Sequence, residues 1–116
     1  MTFEDYETSI ESKLRDLDVS MLIINAGMGR PDPFIDIPNL DVSNMLLCNM
    51  MQSAYLPKLM ANQLTSRLQK HGQKAALIFT SSVSCIRPMP GIGMYSSSKV
   101  FTTYLARALN YEMKDT

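Results

Sequence analysis

The chain has 116 residues, with 11 Lys+Arg against 11 Asp+Glu, so its formal charge is zero and no basic excess marks a nucleic-acid partner. At 46% hydrophobic and 19% charged, with 5 Gly and 6 Pro, the composition excludes a disordered or fibrous chain and sets one globular domain as the ceiling. The longest uncharged stretch, residues 42–57, contains Asn44, Asn49, Gln52 and Ser53 and is too short and too polar to be a transmembrane segment.

Residues 1–18 carry Glu4, Asp5, Glu7 and Glu11 where a secretory signal needs a basic and then an apolar stretch, so an intracellular chain is expected. Cys48 and Cys85 lie far apart, and His71 is the lone histidine. That inventory suggests no metal site and no disulfide framework, but reduced, buried thiols.

In chain order, residues 2–15 place Ile10 and Leu14 among acids at the front and Lys13 and Arg15 at the back, the charge order a short amphipathic helix prefers. Residues 18–27 hold the apolar run Val19, Met21, Leu22, Ile23 and Ile24, which reads as a parallel strand buried on both faces. Gly29, Pro31, Pro33 and Pro38 make residues 28–39 a loop without regular structure. From 40 to about 70, Val42, Met45, Leu46, Asn49, Leu56, Met60, Leu64 and Leu68 recur at helical spacing, with a kink expected at Pro57. Arg67, Lys70 and His71 fall in the last turn, where cations cap the helix dipole, and Gly72 is placed to end the helix. Residues 75–79 read as a second buried strand running on toward Ser82. Residues 87–93 form a Pro/Gly loop, and residues 94–113 a third helix. Helix, strand, helix, strand, helix is part of a doubly wound parallel α/β sheet.

Tyr95 and Lys99 stand four apart near the start of the last helix, so they share one face, with Cβ atoms about 6 Å apart. An ammonium at that range in a partly dry cleft favours a phenolate, which suits proton transfer. Taken alone, the spacing is also that of an exposed helix pair of no consequence. Ser82 ends the second strand at the carboxyl edge, where open α/β sheets place their ligands, and Asn25, Ala26 and Gly27 end the first strand at the same edge. Asn49 lies on the apolar stripe of the long helix. A buried amide there needs partners, whether as an ordinary core residue or as part of a site.

Asn25-Ala26-Gly27, Asn49, Ser82 and Tyr95-Ser96-Ser97-Ser98-Lys99 together resemble the short-chain dehydrogenases/reductases, in order and over essentially the whole chain. The segments 17–22, 34–38 and 56–60 are similar to the branch of 17-beta-hydroxysteroid dehydrogenases and very-long-chain 3-oxoacyl-CoA reductases. The resemblance implies a partial Rossmann-type sheet and a reversible hydride transfer between NADP(H), with NAD as the alternative, and a ketone or secondary alcohol on a lipid-like acyl or steroid substrate. It implies Tyr95 as general acid, Lys99 as its charge partner and ribose ligand, Ser82 as hydrogen-bond donor to the substrate oxygen, and Asn49 as holder of a water that resupplies protons. Asn25, Ala26 and Gly27 join Tyr95 and Lys99 in the cofactor set.

Residues 86–94, with Ile86, Met89, Ile92 and Met94, would line the substrate pocket. A homodimer through the two long helices is implied, with Met45, Leu56, Leu64, Phe101 and Leu109 as its apolar outer faces. So is a place in the cytoplasm or at the cytosolic face of the endoplasmic reticulum.

Ile24 stands where the family reads a further asparagine. No glycine precedes Gly27, so the family's T-G-x-x-x-G-x-G turn is absent from residues 1–26. Gly91-Ile92-Gly93 does not replace it, because Arg87 occupies the place of the first glycine. Residues 1–116 are accordingly expected to be the central, catalytic part of one such domain, without its glycine-rich cofactor motif or its substrate lid. The alternative function is an inactive truncated homologue that serves as a dimerisation or interaction module.

Overall fold

In the computed structural model, which describes residues 2–113, three helices and two strands follow one another in the expected order. Helix α1 runs over residues 3–14, with a π-helical stretch at Glu7–Glu11 inside it. Its start is a capping box, in which the Thr2 hydroxyl accepts from the Asp5 backbone N–H and the Asp5 carboxylate accepts from the Thr2 N–H. Phe3 and Tyr6 present their rings edge-to-face to Tyr55 at 5.2 and 5.4 Å, which docks α1 on the long helix rather than on the sheet.

Strand β1 spans Met21–Ile24 and β2 spans Ala76–Phe79; they pair in parallel, with Met21 opposite Ala76 and Ile24 opposite Phe79. Helix α2, residues 39–71, forms the crossover between them. It is α-helical over Asn39–Met45, π-helical over Leu46–Met51, and α-helical again over Gln52–His71, a segment that includes Pro57. The π-helical stretch lies upstream of Pro57, at the segment holding Asn49. The helix ends at Gly72, whose φ of 63° is left-handed and whose N–H donates to Leu68 O at 2.9 Å. Helix α3 runs Gly93–Glu112.

The core lies between one face of the sheet and helices α2 and α3, where Ile24, Met45, Met60 and Leu64 are buried. Met45 and Leu64 are thus 0% and 4% exposed, which removes them from any outer dimer face. They lie on the same side of α2 as Asn49 and Met60, the side turned inward. The expectation of strands covered on both faces also fails. Alternation sends Leu22, Ile24, Leu77 and Phe79 toward the helices, and it leaves Met21 and Ile23 more than half exposed and Ile78 at 41%. Because α1 sits on α2, no described element covers that second face. The total surface, 7689 Å², accordingly exceeds the roughly 6,300 Å² typical of a folded chain of 13.0 kDa.

Two loops carry more order than their composition suggests. Pro33, with φ of −52°, starts a 3-10 turn at Phe34–Asp36 inside the loop expected to be irregular. Ser82 starts another at Val83–Cys85, because β2 ends at Phe79 rather than at Ser82. Arg67 is not a helix cap either. It is buried and forms a two-pronged pair with Asp18, Nε to Oδ1 at 2.9 Å and Nη2 to Oδ2 at 3.2 Å, while Nη1 donates to Lys74 O and Nη2 to Gln73 Oε1, both at 2.8 Å. This one side chain ties the segment before β1 to the loop before β2. Cys48 and Cys85 are free thiols, both half-buried rather than buried.

Candidate active site

The π-helical stretch widens α2 where Asn49 sits, and such bulges recur at functional sites. The Asn49 amide is 1% exposed, and its partners hold it in one orientation. Oδ1 accepts from Met28 N at 2.9 Å, and Nδ2 donates to Met28 O and to Ser98 Oγ, each at 2.8 Å. Ser98 Oγ in turn donates to Tyr95 O at 2.7 Å. A buried polar ladder continues below. Ser53 Oγ donates to Asn49 O at 2.8 Å, and Thr102 Oγ1 donates to Ser98 O at 3.1 Å. Small hydroxyl side chains let α2 and α3 approach closely and fix their relative register, which sets Tyr95 and Lys99 against the loop after β1.

Lys99 is 4% exposed, and its ammonium donates to Thr80 O at 3.0 Å. Among the described residues it forms no ion pair, so two of its three N–H directions remain open in a buried setting. The ammonium stands 5.8 Å from the Tyr95 ring centroid. It also rests on Gly27: a Cβ there would lie 3.0 Å from Nζ and 3.6 Å from Asn49 Oδ1. Gly29 is equally tight against Tyr95, because a Cβ at 29 would lie 2.9 Å from Cδ2 of the ring. The glycines after β1 thus form a floor on which the lysine and tyrosine lie. Ala26 is fixed from α2, where Gln52 Nε2 donates to its carbonyl oxygen, while Asn25 is exposed beside it.

Ser82 lies in the turn after β2, half-buried. Its Oγ accepts from Ser84 N at 3.2 Å and from Ser84 Oγ at 3.0 Å. With two donors already on the oxygen, the Ser82 proton is left to donate outward. The neighbouring Ser81 donates to Lys99 O at 3.1 Å, which joins this turn to α3. The Cys85 thiol is held below its ordinary range by the hydroxyls of Thr103 and Ser81. Asp18, at the far end of the fold, is likewise lowered by the Arg67 hydrogen bonds.

Tyr95 lines a cleft of about 300 Å³ with Gly27, Gly29, Arg30 and Ile92. A second cleft of about 430 Å³ lies between residues 84–90 and the first two turns of α3; Ile86 and Met89 are part of its wall, while Ile92 belongs to the first cleft. Of the residues singled out from sequence, Asn49, Gly27, Tyr95 and Lys99 converge directly, and Ser82 stands in the adjoining turn. Sequence reasoning did not single out Gln52, Ser84, Ser98, Gly29 or the Thr80 carbonyl. Ser98 was detectable, three positions from Tyr95 and four from Thr102, whereas Thr80 contributes only backbone. Among the described residues no group of three or more His, Cys, Asp or Glu could hold a metal ion, and no helix is long and apolar enough to cross a membrane.

A family model described as short chain dehydrogenase matches residues 3–116. The chain is 30% identical over 114 residues to very-long-chain 3-oxoacyl-CoA reductase-B of Danio rerio, covering 95% of this chain and 35% of that protein. It is 29% identical over 116 residues to 17-beta-hydroxysteroid dehydrogenase type 3 of Homo sapiens, covering 97% and 36%. Among solved structures, 3-ketoacyl-(acyl-carrier-protein) reductase from Brucella melitensis complexed with NADH superposes with a TM-score of 0.84 at 19% identity, covering 97% of this chain and 47% of that one, a likeness of fold. The chain spans about a third of the length of these curated relatives. It belongs to the short chain dehydrogenase family, and its β1–α2–β2–α3 order is part of that family's parallel α/β sheet.

Proposed function

We propose that the chain carries the catalytic centre of an NADP(H)-dependent oxidoreductase that interconverts a ketone and a secondary alcohol on a lipid-like substrate, a 3-oxoacyl-CoA or a 17-ketosteroid. The observation that carries the reading is the placement of the Lys99 ammonium between Thr80 O, the bare backbone of Gly27 and the Tyr95 ring. A buried ammonium with two unused donors beside a Cβ-free floor fits the hydroxyls of a ribose. Lys99 and Tyr95 would hold that sugar, with the backbone of Asn25, Ala26 and Gly27 alongside. A bound nicotinamide supplies or accepts the hydride.

The chain's own residues do the rest. Ser82, its oxygen already loaded by Ser84, donates its proton toward the substrate carbonyl and fixes that oxygen. In the reducing direction Tyr95 gives its phenolic proton to the alkoxide oxygen, and in the oxidising direction it takes the proton back. Lys99 holds its charge 5.8 Å from the centroid of the Tyr95 ring. Asn49, with Oδ1 facing the same Gly27 as the ammonium, holds a water that links Lys99 to solvent and resupplies the proton that Tyr95 gives up in reduction. NADP(H) follows the branch that segments 17–22, 34–38 and 56–60 resemble, and NADH in the Brucella enzyme's structure marks NAD as the competitor to test.

A homodimer along α2 and α3 belongs to the same reading, with Leu46, Val100 and Tyr104 as exposed side chains on those helices. The exposed sheet face at Met21, Ile23 and Ile78 favours a second reading, a non-catalytic interaction module.

Saturation-transfer NMR with NADPH separates the two. Ribose protons saturated by the wild-type chain and released by Lys99→Met support the oxidoreductase. Equal signals from both proteins overturn it.

A further inference from the structure

The second cleft, walled by the loop expected to line the substrate pocket, also carries Arg87 and Ser96, to which the hydride-transfer steps give no role. Its wall is largely apolar, with Ile86, Pro88, Met89 and Val100, and its volume of about 430 Å³ is that of a small-molecule pocket. No carboxylate lines it, yet Arg87 does, and this guanidinium is exposed and has no ionic partner among the described residues. Gly93 places the N-terminus of the 20-residue α3 at the same cleft, and the N-cap residue Ile92 offers no side-chain oxygen to its free N–H groups. Ser96 completes the set. It is 5% exposed, it lines the cleft, and its Oγ is the described buried side-chain atom without a hydrogen-bond partner. A buried hydroxyl left unpaired lowers stability, so it points to a ligand oxygen that satisfies it.

We propose that this cleft binds an aliphatic chain ending in an oxyanion, with the chain along Ile86, Met89 and Val100, the anion on Arg87 and the helix N-terminus, and a polar oxygen on Ser96. Joined to the oxidoreductase reading, on which this choice of substrate rests, the site selects anionic acyl substrates over neutral steroids. The Ser84 hydroxyl lies in this cleft's wall and donates to Ser82, so the cleft adjoins the turn that holds the proposed carbonyl donor.

The test needs neither cofactor nor turnover, so it can fail while the catalytic reading stands. Dodecanoate, dodecyl phosphate and dodecan-1-ol are titrated into the whole chain by calorimetry. Both anions are expected to bind at least about tenfold more tightly than the alcohol and to lose that advantage in Arg87→Gln and at high salt. The tighter anion identifies a carboxylate or a phosphoryl source. Ser96→Ala is expected to raise the melting temperature of the free chain by about 4 °C and to weaken the binding of both anions. Equal binding of anions and alcohol, no binding of any probe, an unchanged Arg87→Gln, or a lower melting temperature in Ser96→Ala overturns the proposal.

Discussion

The ammonium of Lys99 lies on the bare Cα of Gly27, so close that a methyl group at residue 27 would sit 3.0 Å from Nζ. The nearest obstacle is the tip of a flexible side chain, so Gly27→Ala is expected to fold normally, with a stability change under about 1 kcal/mol. The lysine, however, is displaced from the sugar-binding position. Saturation transfer to NADPH ribose protons is expected to fall to the level of Lys99→Met, and a signal equal to wild type would show that the contact has no bearing on the cofactor.

Asn49 joins the loop after β1 to α3 through Met28 and Ser98. Asn49→Ala leaves a buried backbone N–H, a carbonyl and a hydroxyl each short of a partner, at a combined cost of about 2–4 kcal/mol in urea denaturation. Asn49→Asp retains the acceptor for Met28 N but loses the donors to both Met28 O and Ser98 Oγ, and it sets a buried carboxylate oxygen against the Met28 carbonyl. Its stability is expected to fall at least as far as that of the alanine variant at neutral pH.

The Asp18–Arg67 pair makes stability depend on acid. The carboxyl of Asp18 is lowered in the folded chain by its bonds to Arg67, so its contribution is present above the ordinary carboxylate range near pH 4 and is lost as pH falls through the lower, folded value. Asp18→Asn is therefore expected to be less stable than wild type at neutral pH, with the difference closing in strong acid. A constant difference across the pH range would dissociate Asp18 from the linkage. Arg67→Met, which also leaves the Gln73 and Lys74 oxygens unpaired, is expected to cost about 1–3 kcal/mol.

Tyr104 is 76% exposed on α3, near Val100 at 46%. If these helices form the homodimer face, Tyr104→Glu is expected to shift sedimentation from dimer to monomer while leaving the helical circular dichroism unchanged. An unaltered sedimentation coefficient would place any self-association elsewhere, with the exposed sheet face at Ile23 and Ile78 next to be substituted.

The elements were legible where one residue type dominates a period. The apolar run ending at Ile24, the helical spacing through Met60 and the stop at Gly72 all fold as their patterns indicate. The burial of the strands was not legible, because an apolar run states what a strand tolerates on each face and not whether a layer arrives to cover it. Arg67 looked like an end-of-helix cation because its partner Asp18 lies 49 positions away. At the site, Tyr95, Lys99 and Asn49 were visible as side chains with chemistry at meaningful spacings. The Thr80 carbonyl and the closeness of Gly29 to Tyr95 are backbone facts that residue identity does not encode. Ser84 carries no signal in the sequence, because it acts by donating to the oxygen of another serine.

The most direct measurement is NADPH consumption with 3-oxodecanoyl-CoA by the complete protein that carries residues 1–116 and by its Tyr95→Phe variant, with NADPH binding followed in parallel by saturation transfer. Reduction to the 3-hydroxyacyl product by wild type, abolished in Tyr95→Phe while cofactor contacts persist, is the predicted result. Undiminished turnover in Tyr95→Phe, or its absence from both proteins, would contradict a reductase centre built on Tyr95 and Lys99.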